Sequence, residues 1–397
     1  MSHVTATSLP LACFAVAVPG LEALVAGELA QLAGDGLVVG ALEPGGVSFR
    51  ADQGGLYAAN LWLRVASRVL LRLGSFHARA FNELERRGRG IPWGDIVSPG
   101  ASVRFRVTSR KSKLYHQDAV AQRLLALSGG VAASHPGVRD HGDGEEAEAE
   151  AQEFVVRLYR DECTISADAS GALLHRRGYR LATAKAPLRE TLAAAMLVGS
   201  GWDGVAPLVD PMCGSGTIPI EAARLARRIP PGLDRPFAFE RWPSYEPERW
   251  RALRDAARGQ VLVRAPGPVA GSDRDAGAIA AAAANAERAG VAGDISWRRA
   301  AISAIEPGET PGWLVSNPPY GVRIGDRAGL RDLYAQLGNV VRRRCPGWQV
   351  ALLTAHRQLE GQLRLPLTVR WEAENGGVPV RLVQARVPER SAGGAAE

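Results

Sequence analysis

The chain has 397 residues, 46% of them hydrophobic, enough for two or three domains with sizeable cores, and a formal net charge of +7. No apolar run approaches the ~18 residues of a membrane-spanning helix, which excludes an integral membrane protein of the helical kind. Cys13, Cys163, Cys213 and Cys345 are scattered and the seven histidines show no ligand spacing, so no metal site is expected and the cysteines read as reduced thiols of a cytoplasmic protein.

In chain order, Leu11 to Ala30 is apolar but carries Glu22 and Glu28 and lacks a basic leader, unlike a signal peptide. Between Leu61 and Arg139 there are 14 Lys and Arg against 4 Asp and Glu, a net of +10 that exceeds the charge of the whole chain. Such clustering is an electrostatic footprint for phosphate backbones, with Arg104, Arg106, Arg110, Lys111 and Lys113 as candidate RNA contacts. Only three of the 48 basic residues are lysines, a bias a genome's composition can produce, but such a bias does not explain the clustering. An acidic run follows, from Asp140 to Glu153. With little apolar content it cannot bury a face and reads as a solvated, flexible loop.

Further on, Pro207-Leu208-Val209-Asp210 reads as a short buried strand, residues 211–217 as a small-residue loop, and Ile218 to Ile229 as a helix. This is the setting in which a nucleotide-like cofactor approaches bare backbone at the carboxyl edge of a sheet. Asp210, Met212, Gly214, Gly216 and Thr217 are the candidate contacts, the glycines because a Cβ there would collide with the ligand. The third glycine of a dinucleotide fingerprint is missing, which argues against NAD. Cys213 has no histidine near it in sequence and reads as a small packing residue. Phe237, Phe239, Trp242, Tyr245 and Trp250 belong to an insertion over roughly residues 230–267, read as a mini-core against the sheet.

A second strand, 268–273, ends in Asp273, placed to accept hydrogen bonds from a ribose diol, with Arg274 beside it. Asp275 suits the cap of the Ala-rich helix 276–289. Strands at 294–298, 313–316 and 348–354, a helix at 330–344, and strands near 366–371 and 378–386 complete a mostly parallel α/β sheet.

The strand 313–316 runs into Asn317-Pro318-Pro319-Tyr320-Gly321. The lone pair of a nucleobase amino group is delocalised into its ring, so the nitrogen must be oriented rather than deprotonated first. Asn317 and the Pro318 carbonyl can accept its two N–H hydrogens, Pro318 and Pro319 fix the backbone and donate nothing, and Tyr320 offers a stacking face. By itself this clamp fits amino methylation in DNA, RNA or protein.

The run Asp210 to Thr217 with Asn317-Pro-Pro-Tyr-Gly321 resembles the THUMP-domain guanine-N2 RNA methyltransferases within the class I S-adenosylmethionine-dependent enzymes. The likeness extends over His175-Arg-Arg-Gly-Tyr179, Ala186-Pro-Leu-Arg-Glu190, Glu221-Ala-Ala223 and Phe237 to Trp242. Pro19 to Glu22, Gly45 to Phe49 and Asn60 to Leu70 look like the ferredoxin-like opening domain, and Ser109 to Tyr115 lies in a stretch that resembles a THUMP domain. The resemblance implies a ferredoxin-like domain over 1–72, a THUMP RNA-binding domain over 73–170 with an acidic loop at about 140–153, and a Rossmann-like class I methyltransferase domain over 171–397. It also implies S-adenosyl-L-methionine as cofactor, bordered by Arg189 and Glu190, and structured RNA as partner, 23S rRNA ahead of tRNA. Some relatives carry a second methyltransferase domain; ending at Glu397, this chain is expected to encode one activity.

Two positions depart from the family pattern. Ala301 stands where relatives place an acidic acceptor for the adenine amino group, and Val322 where they often carry Glu, while Arg323 and Gly325 keep to the pattern. Losing one neutral hydrogen bond costs about 0.5–1.5 kcal/mol, which weakens a cofactor site without abolishing it. A catalytically silent RNA-binding protein is the competing expectation from another class.

Overall fold

The computed structural model describes residues 10–34, 36–133, 151–181, 188–308, 310–320 and 327–389. The chain forms two compact units, one of residues 1–17, 25–174 and 235–255, the other of residues 18–24, 175–234 and 256–397.

The first unit is built on β1 (Leu11–Val16), β2 (Leu37–Glu43), β3 (Gly46–Ala51), β4 (Arg68–His77), β5 (Ser102–Arg110), β6 (Val131–Ala132), β7 (Gln152–Tyr159) and β8 (Glu162–Asp168), with α1 (Glu22–Gln31), α2 (Gln53–Trp62), α3 (Phe81–Gly88) and α4 (Gln117–Ser128) along the chain. These strands make one sheet in the order β2-β3-β1-β4-β8-β7-β5-β6. β4 pairs antiparallel with β1 on one side and with β8 on the other. The expected boundary between 72 and 73 therefore falls inside a strand, and the two amino-terminal parts share a sheet where the sequence suggested a junction.

Along β5 the two-residue period buries Val103 and Val107 and leaves Arg106, Thr108 and Arg110 exposed. Among the central strands Arg68 of β4 bridges Glu153 of β7 at 2.7 Å and the fully buried Asp168 of β8. Glu153, the last residue of the acidic run, is thus a paired residue of β7, whereas residues 140–150 lie outside the described residues.

The aromatic insertion departs from expectation. Phe239 stacks on Tyr57 of α2 with ring centroids 4.4 Å apart, and Trp250 meets both rings edge-on. Phe239 N also donates to Ala169 O at 3.2 Å. These aromatics complete the core of the first unit rather than packing on the methyltransferase sheet, because their largest partner is Tyr57. The segment ends in α7 (Pro247–Gly259).

The second unit carries α5 (Glu190–Ser200), β9 (Leu208–Asp210), α6 (Thr217–Ala226), β10 (Val269–Asp273), α8 (Ala276–Arg288), β11 (Ile295–Arg299), β12 (Trp313–Ser316), α9 (Arg327–Arg344), β13 (Gln349–Thr354), α10 (Arg357–Leu363), β14 (Thr368–Asn375) and β15 (Val378–Arg386). Its sheet order is β11-β10-β9-β12-β13-β15-β14. The first five strands pair in parallel, and β15 pairs antiparallel with both β13 and β14. Consecutive residues Leu314 and Val315, and Val350 to Leu353, are all buried, so both faces are covered, as parallel sheets require. Tyr334, Leu337 and Val341 of α9 fill one face with Leu314, Val350 and Leu352. Trp371 of β14 donates its indole N–H to Ala195 O at 3.2 Å, and a Cβ on Gly199 would strike that indole.

Phe239→Ala removes a fully buried ring from the Tyr57 cluster. It should lower the unfolding free energy of the first unit by about 3–5 kcal/mol in denaturant titration, a loss placed in that unit by faster proteolysis of its strands. Unchanged stability would place the insertion elsewhere.

Candidate active site

β9 ends at Asp210 and β12 at Ser316, on adjacent parallel strands in register from Trp313–Leu208 to Leu314–Val209. From β9 the chain goes to β10 on one side, while β12 lies on the other, so the carboxyl ends of these strands form a topological switch point. Ser316 Oγ donates to Asp210 Oδ1 at 2.6 Å, and Met212 N donates to the same oxygen at 3.1 Å. Asp210 is 1% exposed. Burial pushes its carboxyl up to about 7, against the two donors, with the charge of Asp273 adding to the rise.

The glycine loop is held from three sides. Cys213 N donates to Ser272 O and Gly214 N to Asp273 Oδ2, both at 3.0 Å. Asn285 of α8, fully buried, donates from Nδ2 to Ser215 O, also at 3.0 Å. Gly214 has φ +53° and a Cβ on it would meet nothing within 4 Å, so its outer face is bare backbone over open space. Gly216, at φ +85°, is different: a Cβ there would lie 2.7 Å from the Trp297 ring and 2.9 Å from Ala282 Cβ. The space its missing Cβ leaves is taken up by packing against β11 and α8.

Thr217 is buried as the first residue of α6, and Met212 packs against the α9 core. Asp273 Oδ1 accepts from Asp275 N at 3.0 Å, so both its oxygens hold backbone amides and keep lone pairs for further donors. Asp275 caps α8 as expected, accepting from Gly277 N at 2.7 Å. Arg274 is exposed, and its carbonyl accepts from Arg299 Nε at 3.3 Å. Ala301 is exposed at the start of the short turn after β11, with no side-chain cap.

Arg189 and Glu190 differ in burial. Arg189 is exposed at the cap of α5, whereas Glu190 is buried and pairs with Arg180 at 3.0 Å. Burial raises the Glu190 carboxyl to about 7, against the pull of Arg180. Nearby, Tyr179 Oη donates to Glu221 at 2.9 Å and the Tyr179 carbonyl accepts from Arg288 Nε at 2.8 Å, which ties the segment before α5 to α6 and α8. Burial pushes the Cys213 thiol far above its usual range, which suits a packing residue. Among the described residues no group of three or more His, Cys, Asp or Glu is placed to hold a metal ion.

In the clamp, Asn317 Oδ1 is buried and has no hydrogen-bond partner among the described residues. Pro318 is buried, Pro319 and Tyr320 are half-buried, and the Tyr320 hydroxyl accepts from Asn375 Nδ2 at 2.9 Å. Val322, Arg323 and Gly325 lie outside the described residues. Sequence reasoning missed Ser316, Asn285, Trp297 and Asn375. A lone Asn inside the alanine run of α8 was the one readable signal.

In the first unit, Arg104, Arg106 and Arg110 alternate along β5, and Lys111 and Lys113 follow in an exposed loop. Arg106 is spoken for in part, since it pairs with Glu153 at 3.1 Å. The loop is stiff: Lys113 N donates to Asp161 Oδ1 at 2.7 Å and Ser109 Oγ to Leu114 O at 2.8 Å. Tyr115, 66% exposed, meets the His116 ring at a tilt of 39° with centroids 4.1 Å apart, and the Arg160 guanidinium lies over the exposed Tyr159 ring at 5.3 Å. Of the five described non-glycine residues with positive φ, Lys111, Arg160 and Asp161 are three, so backbone strain is concentrated in this loop and the adjoining β7–β8 turn.

The two glycines make opposite predictions. Gly214→Ala should weaken S-adenosylmethionine binding in calorimetry with a small drop in melting temperature; Gly216→Ala should lower the melting temperature by several degrees through its clash with Trp297. Protonation gives another. Asp210 and Glu190 hold protons more tightly folded than unfolded, so their stabilising contribution is complete below about pH 4 and is lost as pH rises through about 7. Urea midpoints should therefore fall between about pH 5 and pH 8, and Asp210→Asn should flatten that slope; a parent slope of the opposite sign would contradict it.

Comparison with known proteins agrees with this geometry. Residues 177–384 match the family model described as "RMKL-like, methyltransferase domain" and residues 12–70 that of the "RlmL ferredoxin-like domain". A putative RNA methyltransferase of Synechocystis is 34% identical, over 96% of this chain and 98% of its own. A protein of Methylococcus capsulatus named ribosomal RNA large subunit methyltransferase K/L is 37% identical over 95% of this chain, which spans 51% of that relative. Among solved structures, a predicted N6-adenine-specific DNA methylase from Listeria monocytogenes superposes with a TM-score of 0.82 at 33% identity, over 95% of this chain and 96% of its own. A putative methyltransferase crystallised with S-adenosylhomocysteine reaches 0.81 at 29%, over 96% of this chain and 98% of that one. The chain therefore belongs to the RMKL-like family of S-adenosylmethionine-dependent class I methyltransferases.

Proposed function

We propose that the protein transfers a methyl group to the exocyclic N2 of a guanine in structured RNA, with 23S rRNA preferred over tRNA, in the cytoplasm. The observation that carries this reading is the unpartnered, buried Oδ1 of Asn317 beside the Pro318 carbonyl. Leaving a buried acceptor unsatisfied costs about 1–3 kcal/mol, a cost removed when an amino group donates to it. Support for RNA comes from the basic, aromatic strip around Arg104, Arg106, Arg110, Lys111 and Lys113, read as part of a THUMP domain over 73–170, and from the names of the relatives. The K/L relatives are about twice as long, so their whole activity is not carried over here.

S-adenosylmethionine supplies a methyl group on a positively charged sulfur, which makes it open to attack by a weak nucleophile. Its binding falls to Asp210, Met212, Gly214, Gly216, Thr217, Asp273 and Arg274, with Arg189 and Glu190 at the border; Gly214 gives bare backbone and Asp273 lone pairs for a diol. The flipped guanine, out of its stack, presents N2 to Asn317 and Pro318 while Tyr320 lies against the ring. With both N–H hydrogens held, the nitrogen lone pair points along one line. Positioning then supplies the rate, and the proton leaves after the nitrogen becomes cationic.

Asn317→Ala should abolish radiolabelled methyl transfer to unmodified 23S rRNA while RNA affinity in filter binding stays within about two-fold. Replacing Arg110 and Lys113 by Ala should do the reverse, weakening RNA binding and lowering its salt slope. RNA binding without methyl incorporation in the parent protein would sink the proposal, and incorporation into tRNA alone would redirect it to that substrate.

A further inference from the structure

The hairpin of β14 and β15 reaches beyond the rest of its sheet. β13 ends in the pair Thr354–Arg381, but the hairpin continues through Ala373–Val380, Glu374–Pro379 and Asn375–Val378. It closes at Gly376 and Gly377, both left-handed with φ of +58° and +82°, as a two-residue hairpin turn demands. The overhang lies at the carboxyl edge of β13, the edge from which residues 317–320 leave the neighbouring β12. There Asn375 Nδ2 donates to the Tyr320 hydroxyl at 2.9 Å.

We infer that Asn375 is a positioning residue for the methyl-transfer reaction, fixing where the outer end of the Tyr320 ring, against which the substrate base lies, is held. The inference rests on the reading of Tyr320 as a base platform. A tyrosine ring turns about χ1 and χ2, and its last torsion is broad. Pro319 restricts the backbone at one end of the side chain, and the Asn375 amide holds the other end. With both ends held the long axis of the ring keeps one direction before a base arrives, and the platform stays at one place relative to the Asn317 acceptor. Without the amide bond the ring remains and can still stack, but it samples orientations in which the amino group misses its acceptors. The loss therefore belongs in turnover, not in RNA affinity. Asn375 touches neither the reacting atoms nor the glycine loop, so cofactor affinity stays as it is.

The test is a double-mutant cycle on the full chain, with in vitro transcribed 23S rRNA and tritiated S-adenosylmethionine. Asn375→Leu keeps the shape but can neither donate nor accept, and Tyr320→Phe keeps the ring but not the acceptor. Each should lower kcat by roughly two- to ten-fold, the range of one neutral hydrogen bond, with KM for RNA and the cofactor Kd unchanged. The double variant should be no slower than either single one, since both remove the same bond. Losses that multiply, or Asn375→Leu with parental turnover beside an inactive Tyr320→Ala, overturn the inference and leave the platform standing. A fully active Tyr320→Ala overturns the platform reading itself. Should Asn375→Leu fold poorly by melting temperature, Tyr320→Phe alone decides, and parental kcat for it counts against the inference.

Discussion

The hydrogen bond from Ser316 Oγ to Asp210 joins the ends of the two strands on which both parts of the site depend. One strand, β9, leads into the glycine loop; the other, β12, leads into the amino-group clamp. Ser316 and Asp210 are both buried, and a carboxylate kept from water in this way needs its donors in place. Met212 N supplies a second, so the first turn of the loop and the last residue of β12 converge on one oxygen. A shift of either strand would break that bond, and transfer along a line between donor and acceptor tolerates little displacement.

Around this pair the site is shaped by packing more than by charge. Trp297 of β11 fills the space behind both Gly216 and Gly271, where a Cβ would lie 2.7 and 2.4 Å from its ring atoms. The loop is pressed outward by that indole and pinned by Asn285 and Asp273. Gly214 then remains as the position whose missing side chain leaves room for a ligand. Two glycines one residue apart thus answer to different constraints, one internal and one external.

Much of the second unit was legible because its elements are local. Short apolar runs mark β9, β10 and β12, the alanine run marks α8, and Asp275 sits where an N-cap belongs. What failed was whatever depended on a distant partner. Nothing near Gly216 in sequence announces Trp297, and nothing near Phe239 announces Tyr57, so the packing role of the glycine went unread and the aromatics were given the wrong sheet. The continuity of one sheet across residue 72 was hidden for a related reason: the pairing of β4 with β8 is invisible until that distant strand is found beside it. Single polar residues such as Ser316 and Asn375 carry no pattern at all. Asn317 stood out because it lies between a strand and two prolines, and its buried Oδ1 has no partner among the described residues.

On the reading proposed for Asn317, the ionisable groups around the glycine loop and α5 explain why the clamp is neutral. Asp273 holds two backbone amides, Asp210 holds a serine and an amide, Glu190 faces Arg180, and the Cys213 thiol is held protonated by burial. Each of these already has its proton or its donors, so none is offered as a base to the nitrogen that reacts. An aspartate at position 317 would be a poor substitute. Burial would raise its pKa, as it does for Asp210, and once protonated it would turn a donor toward the amino hydrogens it should receive. An amide oxygen accepts at every pH. With no proton to lose first, the amino group needs only to be held, and a neutral acceptor on a rigid proline backbone holds it without drawing a counter-charge into the pocket.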